Sequence, residues 1–210
     1  MKYPLRFFNL GTAVAVYACL LILPSDADAR IGERRDSIER RLFDSGGIVY
    51  RDEATRQNRM AGMPYLRFLD YLPSSADVRI YFKTPDGRRP SSSDLNERRM
   101  PDGWDLHLIA VDGRSVVEVY RRSQAITEDE FNQLLAIHAE SSFWKRLSEE
   151  ERDKLESAFG VDMIRDDAQV RAKRLGGNTV LFVDSGVDAR LADLAASDRQ
   201  QRAPISVRGF

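Results

Sequence analysis

The segment from Trp104 to Arg122 decides the fold of this chain. It reads Trp104-Asp-Leu-His-Leu-Ile-Ala-Val111, then Asp112-Gly113, then Arg114-Ser-Val-Val-Glu-Val-Tyr-Arg-Arg122. An Asp-Gly pair between two apolar-rich runs is typical of a type I′ turn, because both central residues of that turn need a positive φ. The segment therefore predicts an antiparallel β-hairpin.

A two-residue turn would also set the pairing of the two strands, starting with Val111 opposite Arg114. The further pairs would be Leu108 with Val117, Leu106 with Val119, His107 with Glu118, and Trp104 with Arg121. Because side chains alternate along a strand, one face is predicted to be apolar and to lie on the core, and it comprises Trp104, Leu106, Leu108, Val117 and Val119. The other face carries Asp105, His107, Glu118 and Tyr120, with Ile109 opposite Val116. This pattern predicts an antiparallel sheet covered on one side.

The remaining segments predict strands and helices in blocks. Alternation over residues 78–83 indicates a strand, and Gly176-Gly177-Asn178 indicates the turn of a second hairpin. Helices are predicted to begin at two capping boxes, Thr127 with Glu130 and Ser148 with Glu151. We therefore predict an α+β fold, an antiparallel sheet built from hairpins with helices packed mainly on one face. Leu106 and Leu108 should lie under the helix that carries Phe131, Leu134 and Leu135.

The domain organisation follows from composition along the chain. We predict a signal peptide at residues 1–29, a single α+β domain at 30–200, and a flexible tail at 201–210. Residues 84–103 form a polar connection whose apolar residues are few, with Leu95 and Met100 the largest. A segment with so little apolar surface gains little on ordering, so a mobile loop is predicted there.

Overall composition excludes some classes of protein. Hydrophobic residues make up 42% of the 210 residues, which is enough for a core, and the net charge is −1. General nucleic-acid binders are usually clearly basic, so no nucleic-acid partner is predicted. Cys19 is the only cysteine and lies within the predicted signal peptide, so no disulfide is expected in the mature chain.

The N-terminus has the layout of a secretory signal peptide. Lys2 and Arg6 give a positive start, an apolar run spans about residues 11–23, and Ala27-Asp28-Ala29 supplies small residues before a cleavage site. The run is short for a membrane span, which needs roughly 20 residues. We expect cleavage between Ala29 and Arg30 and an exported protein, periplasmic or extracellular. An uncleaved anchor and a lipoprotein that uses Cys19 are the alternatives.

Scattered short motifs resemble a group of uncharacterised small secreted bacterial proteins of the kind found in Verrucomicrobia. They are Gly32-Glu33, Ile38-Glu39, Tyr50, residues 118–121, residues 127–130, Ser142-Phe143-Trp144 and Thr179-Val180-Leu181. More distantly, the helix–Gly–strand order is similar to SmpA/OmlA-like and β-lactamase-inhibitor-like domains. These resemblances imply a small α+β domain and no catalytic residue.

Candidate functional residues are few. The predicted polar sheet face holds Asp105, His107 and Glu118, which could form a dispersed catalytic site. With Glu118 opposite, the pKa of His107 is expected to rise, because a carboxylate favours the charged imidazole. Four arginines of the loop could contact an anionic partner, namely Arg88, Arg89, Arg98 and Arg99. The two histidines, His107 and His138, do not form a zinc pattern, and no metal site and no cofactor is predicted.

The leading functional hypothesis is a secreted or periplasmic, non-catalytic binding protein, whose partner is an unknown protein or an anionic component of the envelope. One alternative is an enzyme built around His107 and Glu118. Another is a periplasmic domain held by an uncleaved N-terminal anchor, and only then would the signal segment contact a membrane.

Processing can be tested directly. N-terminal sequencing of the exported protein is expected to read from Arg30, because the small residues at Ala27 and Ala29 fit signal peptidase. Recovery of intact Met1 from a membrane fraction would contradict cleavage and would support the anchored form.

Overall fold

The protein is built on one eight-stranded antiparallel sheet, as shown by a computed structural model that describes residues 30–95 and 102–202. The spatial order is β1-β2-β3-β4-β8-β7-β6-β5. The strands are β1 (Ile48–Val49), β2 (Ala76–Lys83), β3 (Trp104–Val111), β4 (Arg114–Arg122), β5 (Trp144–Arg146), β6 (Met163–Arg165), β7 (Val170–Leu175) and β8 (Thr179–Asp184). The predicted α+β class is confirmed.

Five α-helices and two short 3-10 helices accompany the sheet in the described residues. They are α1 (Arg35–Asp44), α2 (Glu53–Met60), α3 (Glu128–Ala139), α4 (Glu149–Lys154) and α5 (Ser185–Arg202), with 3-10 helices at Leu66–Tyr71 and Ser92–Leu95. Both predicted capping boxes are present, at the starts of α3 and α4. Helix α5 runs two residues into the segment predicted as a flexible tail, and the rest of that tail lies outside the described residues, as does the predicted signal peptide.

The β3–β4 hairpin contains the predicted turn but also a β-bulge that the sequence does not predict. Asp112 and Gly113 both have positive φ, 50° and 74°. Val111 pairs with Arg114 and Ala110 with Ser115, but Ile109 then pairs with Val117, so β4 carries one extra residue. Beyond the bulge every predicted pair is therefore wrong by one residue.

This one-residue shift exchanges the two faces of β4. Leu108 pairs with Glu118 and Leu106 with Tyr120, whereas His107 pairs with Val119. Because paired residues share a face, the predicted apolar face that joined the two leucines to Val117 and Val119 is wrong.

Helices lie on both faces of the sheet, whereas the sequence predicts them mainly on one. On one face, Ile109, Val117, Val119, Leu181 and Val183 pack against Tyr65, Phe68 and, from α5, Leu191. On the other face, α3 packs over β7 and β8 through Phe131, Leu134 and Leu135, which contact Val180 and Phe182. Helix α1 packs beside it, with Ile38 against Tyr81, Leu106 and Leu108. The two leucines thus lie under α1, not under α3 as predicted.

The described part of the polar loop makes contacts both within itself and with the core. Thr84 is buried, and its hydroxyl donates to the carbonyl oxygen of Arg88 at 2.6 Å. Leu95 packs against a small core of Tyr50, Ile80 and Phe82. Residues 96–101 lie outside the described residues, and the mobility of the loop stays a prediction.

Ser115 offers a test of the bulge. In the predicted register without a bulge, Ser115 could lie exposed. In the structure the side chain of Ser115 is 1% exposed and donates a hydrogen bond to Glu118 at 2.6 Å. Ser115→Ala is therefore expected to lower the free energy of unfolding by about 1–3 kcal/mol, because it removes a donor from a buried carboxyl group. Urea denaturation measures the loss.

Two reference variants frame that result. Leu108→Ala, in the core, should cost about 2–5 kcal/mol, and Ser123→Ala, at an exposed serine, should stay within about 0.5 kcal/mol. A Ser115→Ala variant as stable as Ser123→Ala would contradict the observed register.

Candidate functional site

The three residues predicted to form a catalytic site do not lie together in the structure. Asp105, His107 and Glu118 are all completely buried, and none lies on an open sheet face. Asp105 and His107 project to the face covered by the Leu66–Tyr71 helix and α5, whereas Glu118 projects to the face covered by α1 and α3. The predicted pair of His107 and Glu118 is therefore wrong.

His107 contacts Tyr65. The Tyr65 hydroxyl lies 2.8 Å from Nδ1 of His107, and both side chains are buried. Burial, together with the nearby positive charges of Arg121 and Arg59, lowers the pKa of His107 to about 3. The expected upward shift is thus reversed, because desolvation penalises the imidazolium and no carboxylate lies opposite it.

Asp105 is the carboxylate of the same face. Arg121 donates to its Oδ2 at 3.1 Å, and the Tyr50 hydroxyl donates to its Oδ1 at 3.4 Å. Burial raises the pKa of Asp105, and the charge of Arg121 opposes that rise. Buried on the core side of the sheet, this group braces β3, β4 and the segment after β1.

Glu118 is the centre of a second buried polar cluster, on the other face. Ser115 donates to its Oε1 at 2.6 Å and the Tyr120 hydroxyl donates to its Oε2 at 2.7 Å. Nε2 of His138, from α3, lies 3.6 Å from Oε2 of Glu118 and 3.3 Å from the Tyr120 hydroxyl. His138, not His107, is thus the histidine beside Glu118.

The contact between Glu118 and His138 is not an ion pair at neutral pH. Burial, together with the positive charges of Arg165 and Arg30, lowers the pKa of His138 to about 3. Burial also raises the pKa of Glu118, against the two hydroxyl donors. Both groups thus favour their neutral forms, as desolvation requires for charges without a close counter-charge. Only the bulge brings Glu118 under α3, so strand alternation from the turn could not have found this cluster.

A cleft lies directly above this face, between α1 and α3. Its volume is about 810 Å³. The floor is formed by β2, β3 and β4 through Tyr81, Phe82, Lys83, Trp104, Leu106 and Tyr120. One wall is α1, through Ile38, Arg41, Leu42 and Asp44, and the other is α3, through Glu130, Gln133, Leu134 and Ile137. We call this feature the α1–α3 cleft.

The helix pattern explains why the walls are apolar. Ile38 and Leu42 are four residues apart on α1, and Leu134 and Ile137 are three apart on α3, so each pair lies on one side of its helix. Leu42 and Ile137 remain partly exposed at the cleft. The hydroxyl groups of the lining are already donated within the protein, as in the 2.6 Å bond from Tyr81 to Glu39.

Most of the charge around the cleft is compensated within the protein. Arg41 donates two hydrogen bonds to the carboxylate of Glu33. Glu130 accepts from Arg122 and from the backbone of Thr127. Lys83 is different: within the described part of the chain its ammonium group makes no hydrogen bond and no ion pair.

The structure describes two of the four arginines predicted to bind an anionic partner. Arg88 donates to both carboxylate oxygens of Asp94, at 2.7 and 2.8 Å, so its guanidinium is engaged within the loop. This pairing lowers the pKa of Asp94. Arg89 is exposed. Arg98 and Arg99 lie outside the described residues, and binding at these arginines stays a prediction.

Residues 30–95 and 102–202 contain neither a metal-binding cluster nor a membrane-spanning helix. No group of three or more His, Cys, Asp or Glu side chains is placed to hold a metal ion there. No helix in those ranges has the length and apolar character needed to cross a membrane.

Comparison with known proteins adds no assignment: no family model, no curated protein and no solved structure matches this chain.

The two histidines should resist protonation in the folded protein. With folded pKa values of about 3, the ring signals of His107 and His138 in an NMR titration should not shift between about pH 8 and pH 5. In urea both should titrate near the usual value, about 6.5. A folded-state midpoint near 6.5 for either ring would contradict its burial in the neutral form.

The free energy of unfolding should depend on pH for the same reason. Because the pKa of His107 is lower in the folded state, the unfolded state binds more protons between about pH 3 and pH 6.5. The contribution of this histidine to the free energy of unfolding is therefore fully present above about pH 6.5 and is lost as the pH falls toward 3. The advantage of the wild type over His107→Gln should therefore shrink by up to about 1.4 kcal/mol per pH unit in that window. Urea denaturation from pH 7 to 4.5 measures it, and a pH-independent difference would refute it.

Proposed function

We propose that this protein is an exported, non-catalytic binding protein whose ligand occupies the α1–α3 cleft. The observation that carries this proposal is the cleft itself, a cavity of about 810 Å³ with an aromatic floor and aliphatic walls. Small-molecule sites are typically concave, mostly apolar and roughly 300–1,000 Å³ in volume. The N-terminal sequence supports export.

The walls and the floor favour a ligand with a long apolar part. Leu42, Trp104 and Ile137 line the cleft and remain partly exposed in the protein without a ligand. Covering apolar surface is worth about 25 cal/mol per Å². A ligand that fills the cleft would remove these side chains from water and gain most of its affinity in that way.

The chemistry of the lining favours binding over catalysis. Glu118 and His138, the nearest pair of acid and base, lie beneath the floor, are fully buried and favour their neutral forms. Tyr120 lines the floor, and its hydroxyl donates to Glu118. Glu118 accepts from Ser115 and Tyr120, and Nε2 of His138 contacts the Tyr120 hydroxyl. We infer that these groups support the floor and do not take part in chemistry at the cleft.

A neutral fluorescent probe tests the proposal. N-phenyl-1-naphthylamine gains fluorescence in apolar sites, and we expect one molecule to bind the purified mature protein. Ile137→Gln should weaken that binding by about fivefold to tenfold, because it places a polar amide on the cleft wall. The measurement is a fluorescence titration at matched thermal stability.

The neighbouring residue provides the control. Ala136→Gln makes the same polar addition on an exposed position of α3 outside the lining, and it should leave the affinity unchanged. Failure of the probe to bind, or equal effects of the two substitutions, would argue against the cleft as the binding site.

A further inference from the structure

Lys83 is the one charge of the cleft floor, and its position on the strand explains why it faces the ligand space. It is the last residue of β2 and pairs with Trp104 of β3. It lies two residues after Tyr81, so the two side chains share the face that α1 and α3 cover. Lys83 is only partly exposed.

The other charged groups of the lining do not compensate Lys83. Glu130 is held by Arg122 and by the start of its own helix, and Arg41 is neutralised by Glu33. Asp44 is the remaining acid, but it lies at the end of α1 and is exposed to water. A half-buried ammonium group that has no counter-charge among residues 30–95 and 102–202 would be stabilised by an anion that arrives with the ligand.

We propose that the ligand of the α1–α3 cleft is a free, single-chain amphiphile with a monoanionic head group, such as a long-chain carboxylate, whose head pairs with Lys83 while its apolar chain lies between α1 and α3. This inference rests on the proposed function. One ammonium group matches one negative charge, and the floor offers no arginine fork of the kind that favours phosphate. The apolar walls accept the chain.

Three probes of equal chain length test the head group on the wild-type protein. Dodecanoate and dodecyltrimethylammonium below their critical micelle concentrations, and 1-dodecanol below its solubility limit, are used to displace N-phenyl-1-naphthylamine. We expect dodecanoate to displace the probe at about tenfold lower concentration than dodecanol, and dodecyltrimethylammonium to be the weakest. The advantage of dodecanoate should decline with added salt.

Variants then assign the preference to Lys83. Lys83→Met should reduce the affinity for dodecanoate to that for dodecanol, without changing the affinity for the neutral probe, and Lys83→Arg should keep the preference. Lys154→Met is the matched control, because Lys154 lies on α4, is exposed and is outside the cleft. It should bind all three compounds as the wild type does. If Lys83→Met does not fold, the comparison of head groups on the wild type still decides the inference.

The contrary outcomes separate the two proposals. Equal displacement by dodecanoate and dodecanol, or no displacement by either, would overturn the anionic head group and leave the apolar binding function standing. No binding of the neutral probe would overturn the binding function itself. Cosedimentation with phosphatidylglycerol vesicles that depends on Lys83, without binding of dodecanoate, would replace the free ligand by a membrane surface.

Discussion

The β-bulge in the central hairpin is the constraint on which the rest of the structure depends. It is accompanied by an N-terminal arm, residues 30–34, that uses the backbone of β4 where β8 no longer reaches. The amide of Gly32 donates to the carbonyl of Ser115 at 2.7 Å, and the amide of Ser115 donates to the carbonyl of Glu33 at 2.9 Å. These bonds satisfy Ser115 on the side away from β3, so the strand can bend locally without unpaired backbone groups.

The bulge determines which face of the sheet each later side chain of β4 occupies. Val117 and Val119 turn toward the core beneath α5, whereas Glu118 and Tyr120 turn toward α1 and α3. Each side of the hairpin thus buries a carboxyl group, Asp105 on one side and Glu118 on the other. Each of the two accepts hydrogen bonds from its own set of donors. Burial of a carboxyl group costs several kcal/mol unless hydrogen bonds offset it, which explains why Glu118 is surrounded by the hydroxyl groups of Ser115 and Tyr120.

The same arm also shapes the cleft. Glu33 lies in the arm and accepts from Arg41 on α1, so one ion pair ties the helix to the hairpin and removes a charge from the cleft wall. The pair is partly buried, with side chains 15% and 30% exposed, and is therefore screened less than a pair on the open surface. With α3 placed by its own apolar face over β8, the two helices stand apart and leave a cleft between them above the sheet.

The sequence by itself determined the features that depend on neighbouring residues only. The Asp112-Gly113 turn, the capping boxes at Thr127 and Ser148 and the alternation in β2 were all predicted, because each depends on backbone preferences within a few residues. Block-wise strands and helices were likewise sufficient for the α+β class. The apolar residues Phe131, Leu134 and Leu135 of α3 were visible in the sequence, but not that α3 would lie beside α1.

Tertiary structure alone decided the register, the partners of the buried polar groups and the cleft. The bulge lies where the arm, some 80 residues away in sequence, hydrogen-bonds to Ser115. No local signal in residues 104–122 predicts it. Because a one-residue shift moves every later side chain to the opposite face, the bulge separates His107 from Glu118 and places Glu118 on the side of the sheet where His138 lies. The cleft combines residues of two helices and three strands. Lys83, a cation of its lining that has no partner among the described residues, is recognisable only once the partners of the neighbouring charges are known.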